Sequence, residues 1–152
     1  MAFISQGTEF YWSTSTSAST STTALVGEVI DFSGPGGRAN VVDRTHLGST
    51  AREYFVGLRD EGEVTLSMLL NFGDTGQTNM RADRATRTMR KAVIKFSDST
   101  TDAARTKAIF DAYCLGFTIS GGVDAVARAE AVLRITGAVT FSSAITSTST
   151  VS

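Results

Sequence analysis

The chain has 152 residues, 41% of them hydrophobic and 19% charged, and its 14 basic and 15 acidic side chains give a formal net charge of −1. That is one domain's length with enough apolar residues for a core, and the balanced charge excludes a general electrostatic pull toward nucleic acid or anionic membrane. The single cysteine, Cys114, excludes an intramolecular disulfide, and no apolar run reaches the ~20 residues of a membrane span.

Residues 3–12 are rich in aromatics (Phe3, Phe10, Tyr11, Trp12) and predict a first strand or a docking arm. The opening residues lack the basic region of a signal peptide, so folding in a reducing cytoplasm is expected. The Ser/Thr run 13–23 buries almost nothing and predicts a flexible loop. Residues 24–32, rich in Val and Ile, predict a strand, and Gly34-Pro35-Gly36-Gly37 a turn. The least periodic stretch is 38–62. Thr50 and Glu53 there have capping-box spacing, which predicts a short helical turn near 51–56. A long irregular segment in a small domain points to an interaction loop.

Residues 63–72 show the clearest alternation. Val64, Leu66, Met68, Leu70 and Phe72 point one way and Glu63, Thr65, Ser67 and Asn71 the other, with a slip at Leu69. Asp74 to Gln77 has N-cap spacing, predicting a helix from about 76 to 90. Met80, Ala85 and Met89 mark its inner side, and Arg81, Arg84, Arg87 and Lys91 a basic face. Strands follow over 92–96 and 106–117, with a turn at 98–102. A Gly121-Gly122 turn leads to alternation from Ala125 to Ile135. Gly137 marks a bulge or bend, Val139 and Phe141 continue the inward face, and the polar tail 146–152 is expected to be mobile. Many short strands plus one helix predict a mainly β fold: an antiparallel β-sandwich or open barrel with one packed helix, in a single domain over 1–152.

Site chemistry is sparse. His46 is the lone histidine, no G-x-S-x-G elbow accompanies it, and one His and one Cys far apart do not make a zinc site. The carboxylates of Asp60-Glu61-Gly62-Glu63 fit a solvated turn or a subunit contact better than paired acid–base work. Gly34-Pro35-Gly36-Gly37 lacks the Lys-Ser/Thr of a phosphate loop. Asp83 lies among the helix cations, which favours a solvated or subunit-bridging face over phosphate contact. Cys114, among Tyr113, Leu115 and Phe117, is expected to be a buried structural thiol. No catalytic residue, metal or cofactor is expected, and the chain is not expected to be an enzyme.

The stretch Asp43-Arg44-Thr45-His46-Leu47-Gly48-Ser49-Thr50-Ala51-Arg52-Glu53, followed by Gly57-Leu58-Arg59-Asp60-Glu61-Gly62-Glu63-Val64, resembles the major tail tube proteins of lambda-like siphophages, whose tails are long and non-contractile. The likeness continues through the helix to Arg134-Ile135-Thr136-Gly137. It implies a virion structural protein, made and assembled in the host bacterial cytoplasm. Copies form hexameric rings that stack into a hollow tube, hold the tape-measure protein, meet tail-tip and terminator proteins, and pass double-stranded DNA non-specifically, with no membrane insertion. It also implies that a loop over about 43–62 reaches the adjacent ring, through Asp43, Thr45, His46, Leu47, Ser49, Glu53, Tyr54, Asp60 and Glu61. A strongly basic lumen would hold phosphates, so Glu63, Thr65, Ser67 and Asn71 are the candidate lumen residues. The alternatives are a related tube or head–tail joining protein, or a β-sandwich decoration module that binds a host surface. The module would need exposed aromatic anchors, for which Tyr11 and Trp12 are the candidates.

Overall fold

The computed structural model describes residues 6–13, 23–101 and 104–143. Phe3 and Ile4, most of the predicted Ser/Thr loop, Asp102 and the tail 146–152 lie outside them. In chain order the elements are β1 (Glu9–Ser13), β2 (Thr23–Val26), β3 (Val29–Ser33), β4 (Arg38–Asp43), β5 (Tyr54–Asp60), β6 (Glu63–Leu69), α1 (Thr75–Thr86), β7 (Met89–Lys95), β8 (Thr106–Gly122) and β9 (Ala125–Ser143). Seven strands make one antiparallel sheet in the order β2-β1-β7-β8-β9-β6-β3, and β4 and β5 pair apart from it. The chain is therefore mainly β with one packed helix, as its alternation predicts.

The core follows from period two. Val64, Leu66 and Met68 of β6 face Leu133, Ala131 and Ala129 of β9, all buried. Phe110 and Ala108 of β8 meet Ala92 and Ile94 of β7, and those meet Trp12 and Phe10 of β1. Met80 of α1 is buried in the same cluster.

The two edge strands, β2 and β3, are separated in sequence by Gly27-Glu28 alone, so the sheet must roll until its edges approach. A helix-borne glutamine ties the β2–β3 turn to the end of β6. Gln77, fully buried, donates from Nε2 to the carbonyls of Gly27 (3.0 Å) and Leu69 (2.9 Å) and accepts from Asn71 N (3.0 Å). Asp74 accepts from Gln77 N (2.9 Å), as its cap spacing predicts, and from Gly27 N (3.1 Å).

Several local expectations give way to pairing. The predicted strand 24–32 breaks at Glu28, which is left-handed (φ 61) and sends its halves to opposite sheet edges. No helical turn forms at 51–56. Tyr54, Phe55 and Val56 instead pair with Asp43, Val42 and Val41, as aromatic and β-branched residues favour. β6 ends at Leu69, and Phe72 lies beyond it, exposed, beneath the Arg81 guanidinium (4.8 Å from the ring centroid). α1 stops at Thr86, with Arg87 left-handed (φ 58). Met89 and Lys91 belong to β7, drawn into the sheet opposite Tyr113 and Asp111, so the four predicted cations do not share a helix face. Gly121 and Gly122 remain in β8, and the turn is Val123-Asp124, with Asp124 left-handed (φ 60). Ala125 and Ala127 are exposed near that turn, and Phe141 turns outward. Gly137 does mark a bulge, at φ 80, where the β8–β9 register shifts.

Candidate functional site

The predicted interaction loop is an ordered arm. β4 and β5 form a two-stranded ribbon over most of their length, and residues 44–53 make its tip. Valines, tyrosine and phenylalanine over 41–42 and 54–56, flanking a polar tip, carry the hairpin signal in the sequence. The tip is tied by short-range bonds: Arg44 N donates to Glu53 O (2.9 Å), Glu53 N to Thr45 Oγ1 (3.0 Å), and Ser49 N to His46 O (2.9 Å). His46 Nδ1 accepts from Gly48 N (3.1 Å), and its Nε2 lies 3.8 Å from Glu53 Oε2. Arg44 lies 3.7 Å from the same carboxylate oxygen and 4.4 Å from the Phe55 ring centroid. Asp43 is held below the usual carboxylate range by the hydroxyl and the backbone N–H of Thr45. Leu47 projects fully into solvent.

The arm's base is a separate charged joint. Asp60 Oδ1 accepts from Gly62 N (2.9 Å), and Asp60 Oδ2 from Arg134 Nη2 of β9 (2.6 Å). These two contacts, the backbone one foremost, lower the Asp60 pKa. Glu61 pairs with Arg59 (3.7 Å), and Arg134 also lies 4.0 Å from Glu63. Periodicity could not single out Arg134; its partner sits 74 residues away in sequence.

Glu63, Thr65 and Ser67 lie on the face of β6 opposite the buried side chains, as alternation predicts. Register adds Arg134, Val132, Glu130 and Arg128 of β9 and Asp31 of β3 to that face. Asn71 does not belong to the strand: it sits in the turn before α1, donating from Nδ2 to Glu28 (3.1 Å) and accepting from Gly73 N (2.9 Å). Trp12 is fully buried, and its Nε1 donates to Asp83 (2.7 Å), so it cannot anchor a partner. Asp83 in turn takes Arg90 as an ion pair (3.1 Å). Among the described residues, no group of three or more His, Cys, Asp and Glu side chains is placed to hold a metal, and no helix is long and apolar enough to cross a membrane.

Solved structures share this fold at low identity. The SPP1 tail tube superposes with a TM-score of 0.71 at 13% identity, covering 93% of this chain and 80% of that one. A chain of the native gene transfer agent virion gives 0.71 at 14% (93% and 100%). One from the sheath/tube terminator of an extracellular contractile injection system gives 0.69 at 12% (94% and 98%). No curated protein matches. The model of the family described as "Phage tail tube, TTP, lambda-like" matches residues 1–144, and the chain belongs to that family.

Proposed function

We propose that this chain is the repeating subunit of a phage tail tube, in which copies join edge to edge into rings and the rings stack into a hollow conduit for double-stranded DNA. The observation that carries it is a pair of unused sheet edges. β3 ends the sheet, and β7 runs along β8 only as far as Met89 opposite Tyr113. Among the described residues, no strand covers β8 from residue 115 to 122 on that side. These edges hold one charge, Asp31, where solitary sheets usually carry several.

Their directions also suit a ring. β8, β9, β6 and β3 alternate in direction. Rotation about a ring axis keeps strand direction, so β3 of one copy meets β8 of the next antiparallel. A four-strand unit therefore closes on itself with no parallel seam. A gene transfer agent tail refined with C6 symmetry supports six copies per ring.

In that ring the outward face of β6 and β9 lines the bore. Its acids are Asp31, Glu63 and Glu130 against two cations, Arg128 and Arg134, of which Arg134 is already engaged by Asp60 and Glu63. Such a wall would not hold phosphates through counterion release. The 43–62 arm, from Asp43 through Glu61, then reaches the adjacent ring. Tape-measure, tail-tip and terminator proteins are the expected partners, the host cytoplasm the place of assembly, and the virion tail the destination. Terminator and cap assemblies among the structural neighbours support the partner proposal. A host-surface decoration module is disfavoured by the burial of Trp12, and no reaction is assigned to the chain.

Electron microscopy of the purified chain across a concentration series tests the proposal. Rings or hollow tubes are expected. A monodisperse monomer that persists with tail-tip components present would overturn it. The bore is tested in assembled tails: Thr65→Lys with Ser67→Lys should slow DNA ejection, most at low salt, and unchanged ejection would remove β6 from the lumen.

A further inference from the structure

A ribbon of two strands has two faces, and in this arm both expose apolar side chains, with only the Arg44 guanidinium lying over the Phe55 ring. Cross-strand partners share a face and successive pairs alternate. Val42 and Phe55 therefore lie on one side, 54% and 55% exposed. Val41 and Val56 lie on the other, 63% and 74% exposed, with Tyr54 beside them. The ribbon leaves both sides to solvent, and an isolated two-stranded hairpin is marginal in water. An arm that docked flat on one surface would need one apolar face and one polar face.

Sheets pack about 10 Å apart, so a ribbon covered on both sides needs a slot about 20 Å wide. Three cavities lined by described residues, of about 240 to 410 Å³, are far too small for that. The arm's charge gives no single acidic or basic partner: over 38–61 it holds Arg38, Arg44, Arg52 and Arg59 against Asp43, Glu53, Asp60 and Glu61.

We infer that each arm is wedged between two copies of this chain in the adjacent ring, one copy against Val42 and Phe55 and the other against Val41 and Val56. The inference rests on the tube proposal and extends it. Stacking then requires a ring that is already closed laterally, since a lone subunit offers cover for only one face. Ring closure and ring stacking are coupled, because an arm is covered on both faces only by copies that already lie side by side.

Two double variants separate the faces: Val42→Thr with Phe55→Thr, and Val41→Thr with Val56→Thr. Threonine keeps strand propensity, and none of the four side chains belongs to the core, so circular dichroism and melting should match the parent chain. Each double variant is expected to lose sedimentable tubes. A folded variant of either kind that stacks like the parent overturns the inference. A second measurement does not depend on the variants folding. A full-length chain carrying photo-cross-linkers at positions 42 and 56 is mixed as a minor fraction with unlabelled chain and irradiated in tubes. One labelled chain joined to two unlabelled chains is the expected product. Covalent dimers alone, from tubes that form normally, overturn the two-copy wedge and leave the tube proposal standing. If the unlabelled parent forms neither rings nor tubes, the tube proposal fails first.

Discussion

At the residue scale, the most exacting arrangement is Trp12–Asp83–Arg90. A carboxylate lies buried under α1, and it is tolerated because an indole N–H and a guanidinium both reach it. Asp83→Ala would strand Arg90 and the indole without their acceptor, and a loss of about 3 kcal/mol is expected in urea unfolding. Trp12→Phe should cost less, because the ion pair survives. Cys114 poses a simpler case. Burial pushes its thiol from an ordinary 9.0 up to about 11, with Asp83 adding to the rise and Arg84 opposing it. The native chain then holds this proton more tightly than the unfolded chain, so this contribution to stability is intact below pH 9 and fades as pH rises toward 11. Alkylation at pH 8 should be slow until denaturant opens the fold. Fast labelling of the native chain would show that the site is not closed.

At the element scale, α1 is the latch on a rolled sheet. Gln77 holds the Gly27 and Leu69 carbonyls and so joins the β2–β3 turn to the end of β6. Gln77→Leu keeps the bulk but leaves both carbonyls unsatisfied, and a loss of about 2 kcal/mol is expected by chemical unfolding. Gly76 lets the helix approach β2: a Cβ there would lie 2.5 Å from the Leu25 carbonyl oxygen. Gly76→Ala should therefore lower the melting temperature even though alanine is the better helix former. Gly37 does the same at the root of the arm, where a Cβ would overlap the Asp60 carbonyl. Gly37→Ala is expected to spare the core and weaken tube formation, read by melting and sedimentation side by side.

At the scale of the whole molecule, the core and the proposed assembly arm separate cleanly. The arm contributes no side chain to the buried cluster. Replacing 43–62 by a short Gly/Ser linker should leave a folded subunit that no longer forms tubes, and tubes of normal length from that variant would remove the arm from the mechanism. Ile30 stands half-exposed on the β3 edge. Ile30→Lys puts a charge where a neighbour is proposed to pair, so folded monomers without rings are expected in size-exclusion chromatography. Rings in normal yield would place the lateral seam elsewhere.

What the amino-acid sequence determined by itself is what local chemistry can encode. Alternation put Val64, Leu66 and Met68 on one face of β6 and Glu63, Thr65 and Ser67 on the other, because side chains in a strand take sides every second residue. Asp74 and Gln77 announced the start of α1 through their own hydrogen bond. The tertiary structure alone decided which strands meet. Val29 and Val26 look like one continuous run, yet they belong to opposite sheet edges, and the choice rests on pairing with β1 on one side and with β6, more than thirty residues on, on the other. Met89 satisfies a helical period but pairs with Tyr113. The arm's hairpin was written in two apolar runs around a polar tip. That it stands clear of the core with apolar side chains exposed on both faces depends on how the rest of the chain fills the interior, which no local pattern carries.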